Sequence, residues 1–174
     1  MKGYLNLLSG GHPNSLGNTI EVVFDVLDDP NNFEELYNCY SSTDQVVRLR
    51  VSNAMKRIMD AKKKILVPYI PKFISEVSQI DQASAQWTLA DLFLGLAEEM
   101  TEEQLKQAKA LLKKNLESQS DWIVLNNTMN TLGEWAKKDE ELKEWIKPHL
   151  DRIVSDERKS VKSKAESIIE ALNF

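Results

Sequence analysis

The chain has 174 residues, 42% of them hydrophobic and 28% charged, with a net charge of −5 from 22 Lys and Arg against 27 Asp and Glu. This composition excludes an intrinsically disordered segment, and the length suffices to bury a core without disulfides or a structural metal. One cysteine, Cys39, and two distant histidines, His12 and His149, exclude a disulfide framework and a Cys-rich zinc site, and no cofactor is expected.

No apolar run reaches the length of a membrane span, and the first residues lack the charged-then-apolar layout of a secretory signal. The expectation is a reduced, cytoplasmic protein with no membrane partner. Residues 9–18 form the only Gly-rich loop. It lacks the Lys-Ser/Thr ending of a phosphate-binding P-loop, so it reads as a lead-in with Asn18 as a helix N-cap. Ile20, Val23, Phe24 and Leu27 mark the first helix of any length, and Asp28-Asp29-Pro30-Asn31 punctuates its end.

Beyond that point two kinds of apolar stripe alternate. Short stripes run through Phe33, Leu36, Tyr37 and Tyr40, and through Leu66, Ile70, Phe73 and Val77 after Pro68. Two more run through Leu105, Ala108, Leu112 and Leu116, and through Leu142, Ile146, Leu150 and Ile153. The third opens on Thr101-Glu-Glu-Gln104, a capping-box pattern. The fourth contains Pro148, where a kink is expected.

Between the short stripes lies a longer ladder that repeats. Val47, Val51, Ala54, Met55 and Ile58 follow one helix face. A shift of 38 gives Ala85, Leu89, Leu92, Phe93 and Leu96; a further 39 gives Val124, Thr128, Thr131, Leu132 and Trp135; a last 37 gives Val161, Ala165, Ile168, Ile169 and Leu172. No sustained period-two alternation occurs, so no strands are expected. The unit is a helix pair of about forty residues, which buries its apolar faces only when stacked on neighbours.

The run Asp44-x-x-Val47-Arg48-x-x-Val51-x-x-Ala54 resembles the second helix of a HEAT repeat, with an Asp in the turn and then Val-Arg. The other ladders carry Ala85-Gln86, Val124-Leu125 and Val161-Lys162 at that place. The resemblance covers residues 33–174. It implies an all-α, right-handed α-solenoid of about four HEAT-like helix pairs. Residues 1–32 then serve as lead-in and capping helix, and residues 1–174 form a single repeat domain. It also implies that Arg48 ties neighbouring repeats together.

In such a stack the ladder helices line a concave surface. Positions two and six after each ladder start point away from the core: Leu49 and Asn53, Trp87 and Asp91, then Asn126 and Asn130. Leu49 and Trp87 are the apolar anchors of this expected partner-binding face. Asn53, Asp91, Asn126 and Asn130 are its polar groups, and Arg50 and Arg57 stand nearer the rim to favour an acidic partner. Helix 85–97 is apolar on nearly all its faces, which points equally to its burial on both sides.

Charge is segregated. Residues 44–80 carry a balance of +5, and residues 1–43 a balance of −5 with Lys2 their only base. A basic repeat between acidic flanks can meet nucleic acid, but without interleaved aromatics it reads first as a solvated face. The Trp87-x-x-x-Asp91 spacing resembles a feature of the HEAT-like alkylpurine DNA glycosylases. There an Asp and aromatics hold the damaged nucleotide together with an Arg from a neighbouring helix. Residues 121–137 of this chain contain no Arg. No Ser–His–acid or Cys–His grouping can be assembled, and the acidic runs at 98–99, 102–103 and 139–141 sit at helix ends. The expected function is a non-enzymatic protein–protein interaction or scaffold module that binds a partner's acidic or apolar segment. Nucleic-acid binding through the basic repeat is the alternative.

Overall fold

The computed structural model describes residues 3–174, and every regular element among them is helical. In chain order these are α1 (Tyr4–Leu8), α2 (Thr19–Asp28), α3 (Phe33–Asn38), α4 (Gln45–Lys62), α5 (Ile70–Ser75), α6 (Ala83–Leu96), α7 (Glu102–Ser118), α8 (Trp122–Ala136), α9 (Glu140–Ile153) and α10 (Lys159–Ala171). No helix of the described residues is long and apolar enough to cross a membrane. The chain divides after Met100 into two compact units.

In the first unit α4 is the central element and packs against α1, α2 and α6. Asp44 starts it by accepting a hydrogen bond from the Val46 amide at 2.8 Å, which satisfies one of the amides a helix start leaves open. Its predicted ladder, from Val47 to Ile58, is wholly buried, as is the α6 ladder from Ala85 to Leu96. Between these helices α3 and α5 are cut to six residues each by flanking 3-10 turns. Pro30 and Pro68 each sit at the start of such a turn, and Pro71 occupies the first turn of α5, where a missing amide proton costs nothing.

All eight residues of the two short stripes in this unit are buried. An aromatic cluster joins α3 to the segment around α5. Phe33 meets Tyr69 edge-on with ring centres 4.5 Å apart, and the Tyr37 hydroxyl donates to Glu76 at 2.9 Å. The Arg48 Nε donates to Gln82 Oε1 at 2.7 Å, linking the start of α4 to the residue that precedes α6.

The face of α2 differs from the sequence expectation. Thr19, Val22, Val23 and Val26 are buried, while Ile20 and Leu27 are half-buried and Phe24 is 67% exposed. Six apolar residues between 20 and 27 fit two helical phases. The one realised carries Val22, Val23 and Val26 at the spacing of one face, where small β-branched groups allow close approach to α4. Asn18 occupies the N-cap position without capping; its Nδ2 donates instead to the Leu7 carbonyl at 3.1 Å.

In the second unit α8 packs against α7, α9 and α10, and α9 packs against α10. The capping box at α7 forms as expected, with Thr101 and Gln104 each receiving the other's amide. Asp121 caps α8 and Asp139 caps α9. The two ladders are buried except for Trp135 and Ile169, which are half-buried at the edge of the stripe, as is Leu105 on α7. Helix α9 runs through Pro148 without interruption. Helix α10 packs closely on α8 at Gly133, where an added Cβ would lie 2.9 Å from the Ile168 side chain.

Asp139 combines two roles. One oxygen accepts from the Leu142 amide at 3.0 Å and the other takes Lys109 Nζ at 2.6 Å. The lysine first, and the backbone amide second, hold its carboxyl below the ordinary aspartate value. A carboxyl depressed by folding stabilises the fold above its unfolded pKa, and that contribution disappears as pH falls through the folded value. Asp139→Asn keeps an acceptor for the cap and removes the ion pair. It is expected to cost about 0.5–1 kcal/mol at pH 7. The difference from wild type should shrink as pH falls below the ordinary aspartate range and vanish once the folded carboxyl is protonated, in urea titrations run across pH. A difference that persisted in acid would show that the charge is not its source.

Candidate functional site

Four of the expected binding residues come together in the first unit. Leu49, Asn53 and Arg57 on α4 and Trp87 on α6 line one shallow cavity of about 340 Å³, with Lys56, Asp60 and Thr88. The sequence spacing explains why. Residues 49, 53, 56, 57 and 60 fall on the outward side of α4, opposite its ladder, while Trp87 lies two positions after the α6 ladder starts. Trp87 and Leu49 are half-buried, so each presents part of an apolar surface while resting on the helices beneath.

The polar groups of the cavity are partly engaged. The Arg57 Nε donates to Asn53 Oδ1 at 2.8 Å, which orients an otherwise exposed guanidinium along the rim. Asp91, one turn beyond Trp87, pairs with Lys56 Nζ at 2.5 Å. That carboxylate is therefore held by a cation from the facing helix. Thr88 is buried, and its Oγ1 has no hydrogen-bond partner among the described residues. Lys56, Asp60 and Thr88 were not among the expected residues. The Lys56–Asp91 pair links two helices 35 positions apart, and no local spacing signals it.

Arg50 is the clear correction. The sequence expectation puts it nearer the rim, open to an acidic partner; it is 2% exposed and does not line the cavity. Its guanidinium lies beneath residues 9–17. Nη1 donates to the Leu8 carbonyl at 2.8 Å and the Gly10 carbonyl at 2.7 Å, Nε to Ser15 at 3.1 Å and Nη2 to His12 at 3.3 Å. A planar guanidinium with five fixed donors suits several main-chain acceptors at once, which is how this charge is tolerated away from water.

Asn126 and Asn130 are carried by α8 in the second unit, where both are half-buried. Asn130 Oδ1 lies 3.4 Å from Lys164 Nζ on α10, a contact internal to that unit. Asn126 Oδ1 is buried and unpaired among the described residues.

The groups with intrinsic reactivity lie elsewhere. Cys39 is buried, its Sγ donates to the Glu35 carbonyl at 3.3 Å, and burial pushes the thiol up to about 11. It is protonated at neutral pH and a poor nucleophile. His149 stacks on Trp145 with ring centres 4.2 Å apart, and burial lowers its pKa, which keeps the imidazole neutral at pH 7. What the cavity offers is a half-buried aromatic, an aliphatic neighbour and an oriented cation: the means to hold a chain segment. The chain matches no family model, no curated protein and no solved structure.

Proposed function

We propose that this protein is a HEAT-like α-solenoid interaction module that binds a partner protein's segment through the cavity shared by α4 and α6. The observation that carries this reading is Trp87 beside Leu49 in one cavity, with Arg57 oriented at its rim by Asn53. The aromatic and the leucine take an apolar side chain, and the guanidinium takes a neighbouring carboxylate. The engagement of Asp91 by Lys56 supports a binding role over the glycosylase-like one, because that reading needs a carboxylate free to face a nucleotide.

The test is a pull-down from native lysate at low and high salt with wild type, Trp87→Ala and Arg57→Ala in parallel, each first verified as folded by circular dichroism. A protein retained at high salt by wild type should be lost by Trp87→Ala, since truncating a central anchor costs about 2 kcal/mol or more. Arg57→Ala should mainly reduce capture at low salt. Nucleic acid eluting with salt equally from wild type and Trp87→Ala would replace this reading with binding through the basic segment 44–80.

A further inference from the structure

Residues 9–18 are exposed without exception, yet they lie folded against the first unit. Their other hydrogen bonds stay within the N-terminal segment. Ser15 bonds to His12, Gly17 to Ser15 and Asn18 to Leu7. Among the described residues, the hydrogen bonds from this loop to the rest of the unit all go to one side chain, the guanidinium of Arg50, through the carbonyls of Gly10, His12 and Ser15. Glycines mark both ends of the loop. Gly10 and Gly11 have φ of 72° and 73°, and Gly17 has φ of 52°. At Gly17 a Cβ would sit 2.9 Å from the guanidinium carbon, so the chain passes directly over the charge.

Arg50, Asn53 and Arg57 stand at i, i+3 and i+7 on α4 and therefore share one stripe of the helix. Arg57 is exposed and Asn53 lines the cavity, while the loop withholds Arg50 from that stripe. No carboxylate among the described residues forms an ion pair with Arg50; its acceptors are neutral carbonyls. A carboxylate binds a guanidinium through charge-assisted, paired hydrogen bonds that are roughly twice as strong as those to a neutral acceptor. An acidic segment is thus a competent competitor for the loop.

We propose that residues 9–17 are an autoinhibitory strap: closed, they occupy the Nε and Nη2 of Arg50; displaced, they free that edge of the guanidinium, with Nη1 still on Leu8, to join Arg57 in gripping an acidic partner segment along α4. This rests on the reading that the cavity of α4 and α6 receives a partner. Two arginines seven residues apart lie about 10 Å apart along the helix axis. A helical segment with glutamates at the same seven-residue interval matches them.

The experiment uses the full chain and a fluorescein-labelled peptide with two glutamates seven residues apart and leucines between them, followed by fluorescence anisotropy. Gly17→Val opens the strap by steric contact with Arg50 and by forcing a β-branched residue into the left-handed region. A second variant deletes residues 10–16 and joins Ser9 to Gly17, removing the Gly10, His12 and Ser15 carbonyls without strain at Gly17; the ends are close, since Asn18 already bonds to Leu7. Each opened variant should bind the peptide about tenfold or more tightly than wild type, the factor by which a closed population withholds a site. Adding Arg50→Gln should abolish that gain. If both opened variants fold and bind no more tightly than wild type, while Trp87→Ala still weakens binding, the strap falls and the cavity reading stands. If opening tightens binding but Trp87→Ala has no effect, the strap stands and the cavity reading falls. Absence of binding by every variant overturns both.

Discussion

Arg50→Met is expected to loosen residues 9–17 and to destabilise the first unit by about 2–4 kcal/mol. The estimate follows from what the guanidinium does. It serves four main-chain carbonyls from one buried position. Hydrogen bonds from a charged donor contribute about 1.5–3 kcal/mol each when made. Methionine fills a similar volume but leaves those carbonyls without a donor. The exposed ones recover by taking water, which is why the net cost is far below the sum. Arg50→Lys should recover only part of the loss, because an ammonium is a point charge and does not reproduce the planar fork. Urea denaturation followed by circular dichroism gives the stability change. Thermolysin under native conditions gives the local one: the variant should be cut near Leu16 while wild type resists. An unchanged midpoint with a protected loop would show that something other than Arg50 holds it.

Phe93→Ala is expected to cost about 3–5 kcal/mol, the range for emptying a phenyl-sized site in a packed core. Phe93 is fully buried in the α6 ladder, and α6 packs along α4. The surrounding ladder residues belong to long, regular helices that cannot collapse far into the space. Phe24→Ala is the informative companion. At 67% exposure it removes little buried area and should change stability by no more than about 0.5 kcal/mol. Parallel urea curves for the two variants check both values. Equal effects would contradict the placement of Phe24 outside the core of α2.

These two residues show where the sequence is legible and where it is not. The ladders are readable because their apolar spacing follows a helix and returns at nearly constant intervals. Val47 to Ile58 and Ala85 to Leu96 are buried as that pattern requires. Helix α2 offered two apolar phases, and tertiary packing against α4 decides between them; periodicity within ten residues has no means to do so. The outward positions of Leu49, Asn53, Arg57 and Trp87 also followed from helical geometry, since a buried ladder determines which side faces out.

Arg50 failed for a different reason. An arginine off the ladder reads as solvated, and the group that covers it is a loop more than thirty residues earlier. The available signal was the loop itself. Three glycines within eight residues announce left-handed backbone and close approach. They give no indication of what is approached. The pairing of Asp91 with Lys56 depends on the register between α4 and α6, which local spacing does not encode.

The clamp on residues 9–17 is also blind to side-chain identity. Arg50 addresses main-chain oxygens, so the loop is recognised by its path and not by its letters. Glycine at 10, 11 and 17 supplies the path, and His12 Nδ1 and Ser15 Oγ each accept an amide of the loop to hold it. Asn14, exposed midway along the loop, is therefore the position free to change, or to carry a grafted epitope or affinity tag, without disturbing the helices beneath it.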